Sequence, residues 1–428
     1  MLPGFRRDNA HPAFPDRPLF NDDDDEDVSK RATAKYAVKE LRAWGRKNIR
    51  LSDDPHMSAK VDWQDLGSQQ RLVFRNIRVG DTEVSALLDC EVLRLLPTRF
   101  SPLPDALENA IQFRDTGNMG TGVFATQDIR AASVLLVEYP VTVVQNTFAL
   151  NFGMTRAEVY GELVNRVPEN ALPALLQLHN AQPSGLYSQE EGLVRSNALG
   201  IALPAPCAPV PAAMGHCAVF LKASRINHSC APNAIARFDT QSFTLVVRAL
   251  RPITKGEELV LSYIDLDHFV TRAERQTRIR DLCHFDCLCA QCTLPTPTAV
   301  AESDARRERI FSTTRAATFV PFTTWHQAPG RSTNQGGLQQ VIAFHLAAIG
   351  DMTAEGLYGY AYFLHSAALA ICFAALEDVI GFRAWMGRAR EFALCNVVTE
   401  SAAEMLKNIV YPDTFMWWGA ANRGASGA

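Results

Sequence analysis

Several things are missing from this 428-residue chain, and each absence excludes a class. Its 25 Gly and 23 Pro, with 47% hydrophobic and 21% charged residues, lack the bias of a fibrous or wholly disordered protein. Residues 1–7 lack the apolar core of a secretory signal. There is little net charge. The total is −4, and without the six acids Asp22 to Asp27 it becomes +2. A dedicated DNA-binding protein carries a basic field, and none is evident, so no direct nucleic-acid site is expected. No strict repeat is visible. Cysteine is scarce outside one stretch: of ten, four lie between Cys283 and Cys292. A disulfide-stapled secreted fold spreads its pairs, so the clustering points to a metal site in a reducing compartment.

What is present divides the chain. At about 150 residues per domain, two or three units are expected. Residues 1–29 read as a disordered acidic tail, and residues 30–112 as a basic helix with an N-terminal segment of unknown role. Within the latter, Ser29 to Arg50 reads as a solvated basic helix, and Leu72 to Leu96 as a hairpin followed by a helix ending before Pro97. β-Branched runs between Gly122 and Val144 predict strands. Residues 155–200 read as helical, and strand signals return at Phe243 to Val247 and Glu258 to Tyr263. After Pro295-Thr296-Pro297, residues 300–428 read as Ala-rich helices. Gly356 to Leu376 contains no Asp, Glu, Lys or Arg, but its apolarity is largely Ala, which predicts a buried helix rather than a membrane span.

Three separated segments carry chemistry. Gly120-Thr121-Gly122 precedes a strand, where the absence of Cβ lets backbone approach a ligand. It lacks the following helix of a dinucleotide fingerprint. Asn227-His228-Ser229-Cys230-Ala231-Pro232-Asn233 packs polar groups beside apolar strands; an Asx-type turn around a satisfied core histidine accounts for it equally well. Gly256-Glu257-Glu258-Leu259 leads through an apolar strand to Tyr263, and the cysteine cluster follows.

Together these segments resemble the SET-domain protein-lysine methyltransferases, over about residues 113–292. The shared pattern is Gly-x-Gly, Asn-His-Ser-Cys-x-Pro-Asn, Gly-Glu-Glu-Leu with Tyr four residues later, and Cys-x-Cys-x-x-Cys, in that order. Glu138-Tyr139-Pro140, Arg195-Ser196-Asn197 and the helical C-terminal part look most like the SET-and-MYND type or related fungal proteins. A MYND zinc module has no place in the insert, where Cys207 is the only cysteine. Two departures stand out. Ala131-Ala132 occupies a turn where the family commonly has Gly, and Thr121 stands where Asn or Arg is usual.

The resemblance implies an α+β fold: a SET-domain β-clip of small twisted sheets around a threaded pseudoknot, with a helical insert, a zinc loop and a helical C-terminal region. It divides the chain into a SET domain at 113–268 with its insert at about 146–215, a post-SET zinc segment at 269–294 and a helical domain at 300–428. S-adenosylmethionine would meet Gly120, Thr121 and Gly122 by backbone, Asn197 and Asn227 as polar anchors, the main chain of His228, and the ring of Phe285. Tyr263 would be the catalytic residue. Structural zinc would sit on Cys230, Cys287, Cys289 and Cys292, leaving Cys283 as a spare buried thiol and Cys90, Cys207, Cys217, Cys372 and Cys395 as ordinary buried ones. The implied protein is a monomer acting on a histone or other protein lysine in nucleus or cytoplasm, with no membrane contact. A non-catalytic scaffold binding chromatin or a protein, and a SET-like fold acting on a small molecule, stand as alternatives.

Overall fold

Gly80 turns the first hairpin with φ +56°, pairing β1 (Leu72–Val79) with β2 (Thr82–Asp89). The chain is described by a computed structural model covering residues 72–107, 109–117, 119–146, 154–183, 185–204, 215–266, 270–315, 318–328, 335–396 and 399–422. The acidic tail, the basic helix and Cys207 lie outside the described residues. The Asp89 carboxylate accepts from the Glu91 amide and so starts α1 (Cys90–Leu95). The hairpin and helix therefore stand where the hydrophobic pattern put them.

Next come β3 (Ile111–Asp115), β4 (Thr121–Ala125), β5 (Val134–Glu138) and β6 (Thr142–Gln145). The insert holds α2 (Arg156–Asn165), α3 (Leu172–Leu176) and α4 (Gln189–Asn197). A Thr155–Glu158 capping box opens α2. The helical reading of 155–200 needs correcting at its end, because Ala198–Ile201 forms β7 and pairs with β8 (His216–Val219). Burial of three of its four residues in the first sheet overrides the local helical pattern. A 3₁₀ turn, Ala223–Arg225, leads to β9 (Asn227–His228), then β10 (Ala234–Asp239), β11 (Thr244–Ala249) and β12 (Glu258–Leu261).

Among the described residues three small sheets result, ordered β1-β2-β6-β8-β7, β10-β11-β5 and β3-β4-β12-β9. One hydrophobic core runs through all three, with Val79, Leu87, Val143, Phe220, Val247 and Leu259 each fully buried. The third sheet positions the site. Its pairs are antiparallel except for β9 and β12, which run parallel, setting Asn227 opposite Val260 and His228 opposite Leu261.

A Thr271–Glu274 capping box starts α5 (Arg272–Cys283), which stops at His284 in the left-handed conformation. Among the described residues the C-terminal part has helices and no strands: α6 (Pro297–Arg315), α7 (Val320–Gln327), α8 (Gln335–Glu355), α9 (Tyr360–Ala375), α10 (Val379–Cys395) and α11 (Thr399–Val410). The uncharged stretch is α9, buried along most of its length among its neighbours. Among the described residues no helix is long and apolar enough to cross a membrane. The helical layer meets the sheets where Asn396 Oδ1 accepts from Arg237 Nε (3.0 Å) and the Cys395 thiol reaches the Ala249 carbonyl (3.3 Å).

Two thiol expectations need correcting. Cys90 is half-buried, because it opens α1 beside solvent-facing Glu91, and Cys283 is half-buried at the last turn of α5. Cys217, Cys372 and Cys395 are buried.

Candidate cofactor and metal site

The left-handed residue His284 turns the chain sharply after α5, and Cys287, Cys289 and Cys292 follow within nine residues of Cys283. The turn delivers their sulfurs onto Cys230 from the distant Asn227–Asn233 segment. All four ligand atoms lie within 4.8 Å of one another, with Cys230 Sγ 4.0 Å from Cys287 Sγ and 3.6 Å from Cys292 Sγ. Tetrahedral zinc with Zn–S of about 2.3 Å requires sulfurs about 3.8 Å apart, so this donor set fits a structural zinc ion. The Cys289 thiol is held well below its ordinary range, chiefly by hydrogen bonds from the Cys230, Cys287 and Cys292 thiols; the Cys230 amide, 3.4 Å from its sulfur, adds to this. Gln276 braces the loop at both backbone groups of one residue: its Nε2 donates to the Cys287 carbonyl and its Oε1 accepts from the Cys287 amide.

His228 joins this centre to Tyr263. The Tyr263 amide can only donate, so His228 Nδ1, 2.9 Å away, is the acceptor. The ring proton then sits on Nε2, 3.4 Å from Cys230 Sγ. Burial pushes this imidazole down to about 4, which keeps it neutral and the tautomer fixed. The Tyr263 ring lies 5.3 Å from that of His228, and its hydroxyl donates to the Ile226 carbonyl at 2.7 Å. Burial also raises the Tyr263 phenol above its ordinary value, so it stays protonated. Phe285, 39% exposed, stands with its ring 6.4 Å from that of His228.

The glycine turn lies on the neighbouring strand. Gly120 has φ +70°, and a Cβ there would meet nothing within 4 Å. Its carbonyl accepts from both the amide and the hydroxyl of Thr116, which closes the turn. Thr121, half-buried, begins β4. Gly122 is different: a Cβ would come within 2.5 Å of Glu258 Oε1 and 2.7 Å of Thr116 Cγ2. That same Glu258 oxygen accepts from Asn227 Nδ2 at 2.7 Å. Gly122, Glu258 and Asn227 are thus one packed unit across β4, β12 and β9. Asn233 fastens the next turn, donating to Glu257 Oε1 and the Glu258 carbonyl while accepting from the Val260 amide.

Asn197 reaches the region through its main chain. Its carbonyl accepts from Ser224 Oγ (2.6 Å), in the turn before Asn227, while both side-chain N–H groups go to the His179 and Leu193 carbonyls. Glu138 caps that same turn, accepting from the Lys222 and Ala223 amides at 2.8 Å each; burial raises its carboxyl despite these bonds.

Residues that sequence reasoning missed surround the sulfurs. Arg307 of α6 donates from Nη2 to the Cys230 carbonyl (2.9 Å) and from Nε to Glu355 Oε2 (2.8 Å). Glu355, fully buried, also accepts from Ser303 Oγ and Arg306 Nε. Arg275, likewise fully buried, donates to the Val270 and Gln291 carbonyls. Nothing local marks these positions, because Arg307 and Glu355 lie 48 residues apart on different helices.

Residues 120–264 match the family model described as SET domain. N-lysine methyltransferase SMYD2-B of Danio rerio is 37% identical over 90 residues, covering 21% of this chain and 20% of that protein. Histone-lysine N-methyltransferase set5 of Schizosaccharomyces pombe is 34% identical over 92 residues, covering 22% and 28% respectively. The chain therefore spans less than a third of the length of these curated relatives. Among solved structures, that of the Neurospora SET domain protein DIM-5, a histone lysine methyltransferase, aligns at 18% identity over 36% of this chain and 52% of that one. Its TM-score is 0.20, too low to bear on fold or function.

Proposed function

We propose that this SET-domain chain, a homologue of SMYD and SET-protein methyltransferases, is an S-adenosylmethionine-dependent protein-lysine N-methyltransferase. The observation that carries the reading is the linkage of Tyr263 to His228 by its amide and to Ile226 by its hydroxyl, at the end of the parallel β9–β12 pair. The cofactor fits the residues present. Gly120 offers open backbone at the turn, Phe285 offers a partly exposed ring for a base, and Gly122 lets its strand pack closely on Glu258 and Thr116.

When bound, S-adenosylmethionine supplies a methyl group on a sulfonium sulfur. Transfer to lysine then depends on holding a neutral amine in line with it. Tyr263 is built to orient rather than to remove a proton. Its own proton is committed to the Ile226 carbonyl, so its oxygen lone pairs are left for an amine N–H, and its raised pKa keeps it from acting as a phenolate base. Asn227, held by Glu258, and the backbone of Gly120 to Gly122 line the cofactor side. Cys230, Cys287, Cys289 and Cys292 would hold structural zinc, which would tie the loop carrying Phe285 to the segment carrying His228.

On this reading residues 113–268 are the SET domain with its threaded pseudoknot and an insert at about 146–215, 269–294 form the post-SET zinc loop and 300–428 frame a protein-substrate cleft. A monomer acting on a histone or other protein lysine in nucleus or cytoplasm completes the proposal. Calorimetric titration with S-adenosylmethionine, followed by radiolabelled methyl transfer to histones, tests it. Binding with transfer is expected. Binding without transfer would favour a non-catalytic scaffold or small-molecule chemistry, and absence of binding would overturn the reading.

A further inference from the structure

Four thiolates around a divalent ion carry a net charge of −2, and in a buried place that charge is costly unless it is compensated. All four sulfur residues are buried or half-buried. Two guanidiniums lie against the main chain of the cluster. Arg307, 3% exposed, bonds the carbonyl of Cys230 itself, and Arg275, with no exposure, reaches the carbonyl of Gln291, the residue before Cys292. Each also buries a nitrogen with no hydrogen-bond partner, Nη1 of Arg307 and Nε of Arg275. Their neighbouring acids do not fully offset them. Glu355 is shared between Arg306 and Arg307, and Asp304, 24% exposed, stands 3.9 Å from Arg275. An excess of positive charge is thus buried where an anionic centre is proposed.

The helical layer reaches the same spot a second time. Gly356, directly after Glu355, has φ +67°, and a Cβ there would lie 2.9 Å from Cβ of Ala231. The end of α8 is therefore seated on the Cys230-Ala231 peptide both by the Glu355–Arg307 bond and by close packing.

We propose that Arg307, clamped by Glu355, and Arg275 are positioning residues of the thiolate centre, supplying the buried positive charge that retains its metal, with Arg307 coupling the helical layer to Cys230. This rests on reading the four cysteines as a zinc site. Partners that orient metal ligands are worth about 10–100-fold in metal affinity. Arg307→Met removes both the charge and the bonds. Arg307→Lys keeps the charge but cannot span the Cys230 carbonyl and Glu355 with a fork. Arg309→Met serves as the comparison, because Arg309 joins the same two helices through an exposed pair with Asp351, away from the sulfurs.

The test uses the full chain purified with zinc and follows metal transfer to a chromogenic chelator, alongside the thiolate-to-metal absorption bands of the cobalt-substituted protein. Arg307→Met should release zinc about 100-fold faster and Arg307→Lys about 10-fold faster, both with shifted cobalt bands, and Arg309→Met at the wild-type rate. A merely structural role would lower the melting temperature without moving the cobalt bands. Wild-type release and unshifted bands in folded Arg307→Lys would overturn the proposal even if Arg307→Met failed to fold. Wild-type protein that holds no zinc with its thiols intact would overturn the metal reading itself, a separate result from either.

Discussion

Gly122→Ala probes the proposed cofactor side with the smallest possible addition. A methyl group there would lie 2.5 Å from Glu258 Oε1, 2.7 Å from Thr116 Cγ2 and 3.1 Å from Phe124 Cε2. Overpacking of this kind costs about 1–3 kcal/mol. Glu258 can swing its carboxylate away, but only by giving up the 2.7 Å bond to Asn227, and Thr116 stays in the way because its amide and hydroxyl both hold the Gly120 carbonyl. A loss of about 2–3 kcal/mol is therefore expected, a fall in melting temperature of roughly 3 °C for a chain of this size. Cofactor affinity should drop about tenfold, as an Asn227 displaced by about 1.4 kcal/mol would require. Glu258→Ala in the same protein removes the nearest contact, so Gly122→Ala should cost at least about 1 kcal/mol less in that background. Thermal melts of the four proteins and calorimetric titration of the folded ones measure both effects. Strict additivity, or unchanged affinity in folded Gly122→Ala, would refute the packed unit of Gly122, Glu258 and Asn227.

The remaining predictions address the metal, the backbone and pH. Cys230→Ser should leave the chain without stoichiometric zinc after dialysis, by elemental analysis, whereas Cys283→Ser should keep it, because Cys283 is outside the four-sulfur group. Ala132 sits at φ +63°, a conformation that costs an L-residue about 1–2 kcal/mol, so Ala132→Gly should stabilise by about 0.5–1 kcal/mol in a thermal melt, after the flexibility glycine adds to the unfolded chain. Burial holds His216 and His365 at about 4 and His345 at about 3, below the ordinary 6.5. The unfolded chain then takes up their protons first. This stability is complete above pH 6.5 and is lost as pH falls toward 4, at up to about 1.4 kcal/mol per pH unit for each histidine. Urea midpoints between pH 7 and 5 should fall accordingly, and a flat profile would contradict it.

What could be read in advance follows from how locally each feature is encoded. The first hairpin, the strands between Gly122 and Val144 and the Ala-rich helices are written in contiguous periodic runs. The segment from Asn227 to Asn233 was legible as a polar cluster, but β9 is two residues long and shows no period of its own. Its pairing with β12 is a tertiary fact. β3 was missed because four of its five residues are exposed and polar or isolated, and β11 starts at Thr244 rather than Phe243 because Phe243 has φ +55°. The SET-family likeness supplied Cys230 as the fourth sulfur, and geometry then placed it 57 residues from Cys287 in sequence yet 4.0 Å away in space. The arginines illustrate the opposite case. Arg307 and Arg309 sit in the same charged stretch of α6, yet Arg309 is exposed and Arg307 is buried on Cys230. Both pair with α8, Arg307 with Glu355 and Arg309 with Asp351, but side chains two residues apart on a helix point to nearly opposite sides, and the tertiary packing decides which side is covered.

The central claim is that Tyr263 orients a protein lysine for methylation. Methyl-lysine mass spectrometry of a cell lysate incubated with S-adenosylmethionine and either the wild-type chain or Tyr263→Phe tests it most directly. Tyr263→Phe loses one hydrogen bond, to the Ile226 carbonyl, worth about 1 kcal/mol, and should stay folded and bind cofactor near normally. The account predicts new methyl-lysine with the wild-type chain and none with the variant. Equal methylation by both would remove Tyr263 from the mechanism, and no methyl-lysine from a cofactor-bound wild-type chain would contradict the assigned activity.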